Sequence, residues 1–445
     1  MDLTELYGRQ VIANRAVDDI PAATSIQEMP TLEINSTTIR CKRCGQVSLK
    51  REASLPRGHF YCPSCINLGR VSTLTKFYHV PEPNQFQVTS PVLTWQGKLS
   101  PLQAQAAATV AKGMQNHCHQ LLWAVTGAGK TEMMFQGIAE ALLRGERVGL
   151  ASPRVDVCLE LYPRLQAAFA NTEIVLLHGK QELPYRYAQL TICTTHQLLR
   201  FYHAFDNLII DEVDAFPYAS NEALLYATKQ AVKPTGGCLY LTATPGNSLL
   251  KRVRRRELTV AYLPLRYHGH LLPTIRLSLQ PKWRKQLKRG QLVSAICRQL
   301  LQTLRANHRF LLFVPHINDL ALTAKAVARI GNYRFATVHA ADPQRLVKVQ
   351  QMRDGEYDFL ITTSILERGV TFPEIDVFVL GADDPVFSSS ALVQIAGRAG
   401  RSKKRPTGKV IFWISSSCKS VRQAVREISA MNRKGRRVQR ELSIV

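Results

Sequence analysis

The chain has 445 residues, 45% of them hydrophobic and 20% charged, a balance that excludes a disordered polymer and allows two or three domains with cores of their own. Lys plus Arg outnumber Asp plus Glu by 58 to 33, and the resulting net charge of +25 points to a polyanionic partner, nucleic acid first and an anionic membrane surface second. There is no apolar run of about 18 residues for a membrane-spanning helix and no leader-like apolar stretch among the first residues, so a cytoplasmic location is expected.

Residues 1–35 carry little patterning and are read as an N-terminal extension. Residues 36–90 hold Cys41-Lys-Arg-Cys44 and Cys62-Pro-Ser-Cys65, two C-x2-C knuckles 17 residues apart. That spacing predicts a tetrahedral zinc site, and four thiolates close the shell, so the Zn²⁺ is structural. Lys42, Arg43, Lys50, Arg51 and Arg57 surround it with positive charge. The module either touches nucleic acid or a partner protein, or is a folding staple alone. As a separate module it should lose its ligands without harm to the rest of the chain. The other six cysteines are scattered and read as packing residues of a reduced compartment.

Pro81, Pro83 and Pro91 mark a linker, after which short apolar runs alternate with helical spacing. The first, Leu121–Trp123, is followed by Ala124-Val-Thr126-Gly127-Ala128-Gly129-Lys130-Thr131 and then a helical stretch over 132–143. A strand, a glycine-rich turn ending in Lys-Thr and a helix make a phosphate cradle. Lys130 can reach the β- and γ-phosphates of ATP, and Thr131 can hold Mg²⁺. Ala124 stands where the pattern usually has Gly. Further strands are predicted at 148–151, 174–177, 190–193, 208–210 and 238–241, continuous enough for a parallel sheet covered on both faces. Asp211-Glu212-Val-Asp214 closes one of them. Asp211 is placed to hold Mg²⁺ and Glu212 to activate the attacking water, while Asp214 is expected to couple to Thr242-Ala-Thr244.

A basic stretch follows at 251–256, and a second series of apolar runs comes at 310–314, 335–338, 359–361, 377–380 and 410–414. The reading is therefore α/β: two tandem RecA-like lobes of parallel sheets flanked by helices, at 91–265 and 266–445, preceded by the zinc module. Arg433, Lys434, Arg436 and Arg437 add a basic C-terminus.

The segments AVTGAGKTE, DEVD, LTATP and Gln394-Ile-Ala-Gly397-Arg398-Ala-Gly400-Arg401, in that order, resemble the motifs of superfamily 2 helicases and translocases. The resemblance implies that Arg398 and Arg401 meet the γ-phosphate, that Gln103 of Leu99-Ser-Pro-Leu-Gln103 reads adenine, and that Arg154, Thr195 and Thr362 contact a nucleic-acid strand. Ser100-Pro101 also has the form of a helix cap. With the four cysteines ahead of the first lobe and the Asp211–Pro217 box, the whole resembles the ComFA family of late-competence DNA-uptake ATPases. That resemblance implies an ATPase stimulated by single-stranded DNA, peripheral at the inner face of the membrane, with ComFC and the channel ComEC as partners. A PriA-like replication helicase is the rival motor, though its cysteines fall within the second half of the core. A nucleotide-switched nucleic-acid-binding adaptor is the rival from another class, and it has no need of the hydrolytic set Lys130, Asp211, Glu212 and Arg401.

Overall fold

The computed structural model describes residues 2–13, 20–179, 184–402 and 404–442. By packing, the chain forms two units, Met1–Trp123 with Lys130–Tyr262, and Ala124–Gly129 with Leu263–Val445.

The sheet of the first unit contains β1 (Gln120–Ala124), β2 (Val148–Ser152), β3 (Ile174–Leu177), β4 (Leu190–Thr194), β5 (Phe205–Ile210), β6 (Val232–Thr242) and β7 (Thr259–Leu263). Their order is β3-β4-β2-β5-β6-β1-β7. The pairs from β3 through to β1 are parallel. Strands β2, β4 and β5 are buried along their whole length, as their unbroken apolar runs require. Because the strands are parallel, the loops after β1, β2, β4, β5 and β6 gather along one edge, where open α/β sheets bind their ligands.

The second unit has its own parallel sheet of β8 (Ile275–Leu279), β9 (Phe310–Phe313), β10 (Phe335–Val338), β11 (Phe359–Thr362), β12 (Asp376–Leu380) and β13 (Val410–Ile414). The order is β8-β13-β12-β9-β11-β10. Its core is aromatic: Phe359 stacks on Phe310 and Phe335, with ring centroids 4.5 and 5.0 Å apart. Both expected lobes are thus α/β, with parallel sheets. Strands β7 and β8 were not foreseen: β8 is partly exposed and alternates Ile275-Arg-Leu-Ser-Leu279, with no continuous apolar run, whereas β7 does carry one over Val260–Leu263 and was overlooked. The basic C-terminus continues as the 24-residue helix Lys419–Leu442, with Arg433, Lys434, Arg436 and Arg437 exposed along it.

The four-cysteine region is antiparallel. Leu32–Ile34, Thr38–Cys41 and Val47–Leu49 form one small sheet, and Ser54–Leu55 pairs with His59–Phe60. Val11–Ala13 and Gln27–Pro30 flank Lys76–His79 in another, so residues on both sides of position 35 share a sheet. The region is not separable as expected. Its cysteines belong to the same buried cluster as Phe201, Ala227 and Tyr240 of the first unit. The Tyr226 hydroxyl donates to the Lys42 carbonyl at 3.3 Å. Gly45, at φ +72°, lies so close to the Tyr226 ring that an added Cβ would stand 2.6 Å from it. The linker is pinned as well: Arg147, at the start of β2, pairs with Glu82 at 2.5 Å with both side chains wholly buried, and also donates to the Tyr7 carbonyl.

Candidate nucleotide and zinc sites

The glycine-rich turn follows β1 as the spacing predicts. Gly127 and Gly129 adopt φ of +78° and +77°, the left-handed conformation that turns successive backbone N–H groups to one side. Ala124 is a buried strand residue and is absent from the positive-φ set, so its methyl group is tolerated where a glycine is usual. Beyond Lys130 and Thr131 the chain makes a 3-10 turn, Glu132–Met134, before the helix Phe135–Leu143. The Thr126 hydroxyl is buried with no hydrogen-bond partner among the described residues. Glycines at both positive-φ positions, a Lys-Thr pair and a helix behind them form a donor set that fits a nucleoside triphosphate with Mg²⁺.

At the neighbouring strand ends, Asp211 follows β5, and its carboxylate accepts the Glu212 N–H at 2.8 Å. Glu212 itself sits at φ +53°. A non-glycine residue in that region is uncommon and concentrates at functional sites. Asp214 couples to the loop after β6 as expected, accepting hydrogen bonds from the Thr242 and Thr244 hydroxyls, each at 2.6 Å. Gln103 is the N3 residue of a capping box: its amide oxygen accepts the Ser100 N–H at 2.9 Å while the Ser100 hydroxyl accepts the Gln103 N–H. The side chain is thereby held at the start of the helix Pro101–Gln115.

Arg154, two residues beyond the end of β2, is the N-cap residue of the helix Val155–Ala168 and is half buried. Thr195 and Thr362 are both fully buried. The Thr362 hydroxyl donates to the Val338 carbonyl at 3.0 Å. Neither hydroxyl faces solvent, so the surface contact with a strand expected of them does not follow from this arrangement.

In the second unit Arg398 is 2% exposed and donates to the Val370 carbonyl, tying the Gly397–Arg401 turn to the Glu367–Val370 segment. Arg401 is half buried, at φ +66°, and donates to the Gly397 carbonyl at 3.0 Å. Sequence reasoning missed Arg266. This buried guanidinium donates to three carbonyls around the same turn: Gly397 at 2.9 Å, Ala399 at 2.8 Å and Pro406 at 3.1 Å. Burial, reinforced by the charge of Arg401, pushes its pKa down to about 9, so it stays protonated at neutral pH. Gly397 packs against Thr126 of the same unit so tightly that a Cβ there would collide with the hydroxyl.

The thiols of Cys41, Cys44, Cys62 and Cys65 are buried and lie within 4.8 Å of one another. Cys41 and Cys65 sulfurs are 3.9 Å apart, and those of Cys44 and Cys62 3.6 Å apart. Four sulfurs at the usual Zn–S distance of ~2.3 Å have tetrahedral edges of about 3.8 Å, so the donor set fits Zn²⁺ without rearrangement. Arg43 faces inward. It is 3% exposed, donates from Nε to Cys65 Sγ at 3.4 Å and binds the Cys65 carbonyl at 3.1 Å. It therefore braces the second knuckle and is not part of an open basic surface.

Fold and site together define a helicase-type ATPase with a structural four-cysteine region. Residues 96–247 match the family "Type III restriction enzyme, res subunit", residues 291–403 the helicase conserved C-terminal domain, and residues 5–79 the competence protein ComFA N-terminal domain. The chain is 42% identical to competence protein ComFA of Bacillus subtilis strain 168, over 90% of this chain and 87% of that one. It is 40% identical to the ComFA of Streptococcus pneumoniae R6, over 92% and 93%. Among solved structures it is similar in fold to the Mycobacterium smegmatis helicase Lhr bound to ssDNA and AMP-PNP, with TM-score 0.56 and 16% identity over 76% of this chain and 50% of that one. The Saccharomyces cerevisiae Dbp5 bound to RNA and ADP BeF3 gives TM-score 0.54 and 14% identity, over 76% and 91%. The chain belongs to the ComFA family of competence proteins.

Proposed function

We propose that this chain is an ATPase stimulated by single-stranded DNA that translocates the strand and powers uptake of transforming DNA. The observation that carries the reading is the set of loops on one edge of the first sheet. The Thr126–Thr131 cradle after β1, Asp211 and Glu212 after β5 and Thr242–Thr244 after β6 leave three adjacent parallel strands. That neighbourhood of loops supports reading the first as a phosphate grip, Asp211 as a metal-binding carboxylate and Glu212 as a general base.

In this reading Gly127, Ala128, Gly129 and Lys130 hold the phosphates of ATP, Thr131 and Asp211 hold Mg²⁺, and Gln103 meets the adenine. The ion neutralises charge on the phosphoryl group when bound. Glu212 orients and deprotonates the attacking water. Arg398 and Arg401, from the lobe over 266–445, are proposed to stabilise charge on the γ-phosphate. Arg154 positions the DNA backbone. Among the described residues no helix is long and apolar enough to cross a membrane. Action in the cytoplasm, at the inner face of the membrane with ComFC and ComEC, is part of the proposal and rests on membership of the family.

The test is ATP hydrolysis with single-stranded DNA, duplex DNA and RNA at several salt concentrations. Stimulation by single-stranded DNA above the other two, weakening as salt rises, supports the proposal. Equal stimulation by RNA favours a general helicase, and binding without turnover favours a nucleotide-switched adaptor.

A further inference from the structure

A cleft of about 220 Å³ opens in the first unit, away from the cradle and the acidic box. One wall is the end of β3, with His178 and Gly179, and another is the segment after β4, with Gln197 and Arg200. The remaining walls come from elements outside the sheet: Arg9 from the N-terminal extension and Asn67–Leu68 from the turn after Cys65. The sequence pattern gives no hint of this meeting. Backbone hydrogen bonds build it: Gln10 N–H donates to the Arg200 carbonyl at 3.0 Å, and Tyr202 N–H to the Gly8 carbonyl at 2.9 Å.

The cleft is strongly cationic. Arg9 is only 8% exposed, and its buried Nε has no hydrogen-bond partner among the described residues. Its guanidinium lies 3.8 Å from the centre of the Tyr185 ring, which lines the same cleft. Burial, and then the neighbouring charges of Arg200 and Arg147 against those of Tyr185 and Glu5, push Arg9 down to about 10. Arg200 is exposed, and no acid pairs with it among the described residues. Two guanidiniums lining one cleft, one with a buried Nε that has no hydrogen-bond partner among the described residues, suit an anion. The volume is below the ~300–1,000 Å³ of pockets for drug-sized ligands, which suits a phosphate group better than a whole nucleotide.

We propose that this cleft, formed by Arg9 and Arg200 with the cysteine-region turn, binds a backbone phosphate of a nucleic-acid strand. A strand is favoured over a free anion because the cleft lies at the carboxyl ends of β3 and β4, on the edge where the other loops of the first sheet gather. The inference rests on the reading of the chain as a single-stranded-DNA-binding protein. It gives the cysteine region a role in grip: its turn supplies one wall of a phosphate site.

The test is binding of a fluorescent oligo-dT to the full chain, titrated at several salt concentrations, for wild type, Arg200→Gln and Arg200→Lys. Arg200 is exposed, and thermal unfolding serves as the control for folding. Arg200→Gln is expected to weaken binding about 3- to 10-fold and to reduce the slope of log K against log salt by about 0.7, the loss of one phosphate contact on a single strand. Arg200→Lys should keep the slope. Unchanged affinity and slope in Arg200→Gln, with wild type binding well, overturn this site and leave the proposed function standing. No oligo-dT binding by wild type overturns both. Calorimetry with inorganic phosphate separates the sources: phosphate binding lost in Arg200→Gln without any change in oligo-dT affinity assigns the cleft to a free anion and overturns the strand.

Discussion

Asp214 and Thr244 join two loops that leave neighbouring strands, the carboxylate accepting the threonine hydroxyl at 2.6 Å while its other oxygen accepts Thr242 at the same distance. The acidic box after β5 is thus clamped to the loop after β6, and Thr244 N–H closes the arrangement on the Thr242 hydroxyl at 2.9 Å. Whatever moves one loop moves the other.

Asp214→Asn should therefore keep ATP affinity and lose most of the DNA-stimulated rate, because an amide can accept only one of the two hydroxyls and the loops uncouple. Hydrogen bonds to a charged group contribute about 1.5–3 kcal/mol, so stability should fall by an amount of that order. A double-mutant cycle with Thr244→Val, read by urea unfolding, should show a coupling energy, and additive effects would mean that the contact is incidental.

Arg266→Met should destabilise the protein by about 2–4 kcal/mol, since it removes one buried cation and leaves three carbonyls of the Gly397–Pro406 segment without their donor. Arg266→Lys should recover little, because an ammonium cannot bridge three acceptors as a planar fork can. Urea unfolding at neutral pH measures both. A shift below about 0.5 kcal/mol for the methionine variant would show that the turn carrying Arg398 and Arg401 holds itself.

Metal removal should unfold more than the cysteine region. Structural zinc contributes about 10–16 kcal/mol to isolated zinc-binding peptides, comparable with the ~5–15 kcal/mol stability of a whole domain. The cysteines share a buried cluster with Phe201, Ala227 and Tyr240. Chelation, or Cys62→Ala with Cys65→Ala, is expected to lower the melting temperature of the first unit and to abolish basal ATP hydrolysis. Survival of basal hydrolysis with a detached amino-terminal region would restore the separable module that the spacing alone suggested.

Acid should weaken the first unit before it touches the carboxylates. Burial lowers the pKa of His79, His119, His196 and His203. Each is neutral in the fold, while the unfolded chain takes up protons below the ordinary value of ~6.5. Between the folded and unfolded pKa values the unfolded state binds more protons, so this stability is present above ~6.5 and is lost as pH falls through that range. Urea midpoints should drop between pH 7.5 and 5.5. A flat midpoint would mean that the four rings lie no deeper in energy than free histidines.

The sequence was most legible where the chemistry is local. Strands β2, β4 and β5 announce themselves because both faces are buried, and the cradle does so because Gly127 and Gly129 must take positive φ. The C-x2-C spacing specifies four thiols, but nothing in it shows that Gly45 would lie flat on Tyr226. Arg266 was invisible for a related reason: its meaning is three carbonyls more than 130 residues away. Gln103 and Thr362 show how one residue type serves two ends. A helix-capping glutamine and a buried threonine bonded to Val338 match the same short pattern as a ligand contact.

The most direct measurement is phosphate release by the full chain with and without single-stranded DNA, for wild type, Lys130→Ala and Glu212→Gln. The account predicts strong stimulation of wild type by the strand. It predicts loss of turnover in both variants, with nucleotide binding lost in Lys130→Ala and retained in Glu212→Gln. Turnover that ignores the strand, or that persists in Glu212→Gln at the wild-type rate, would contradict it.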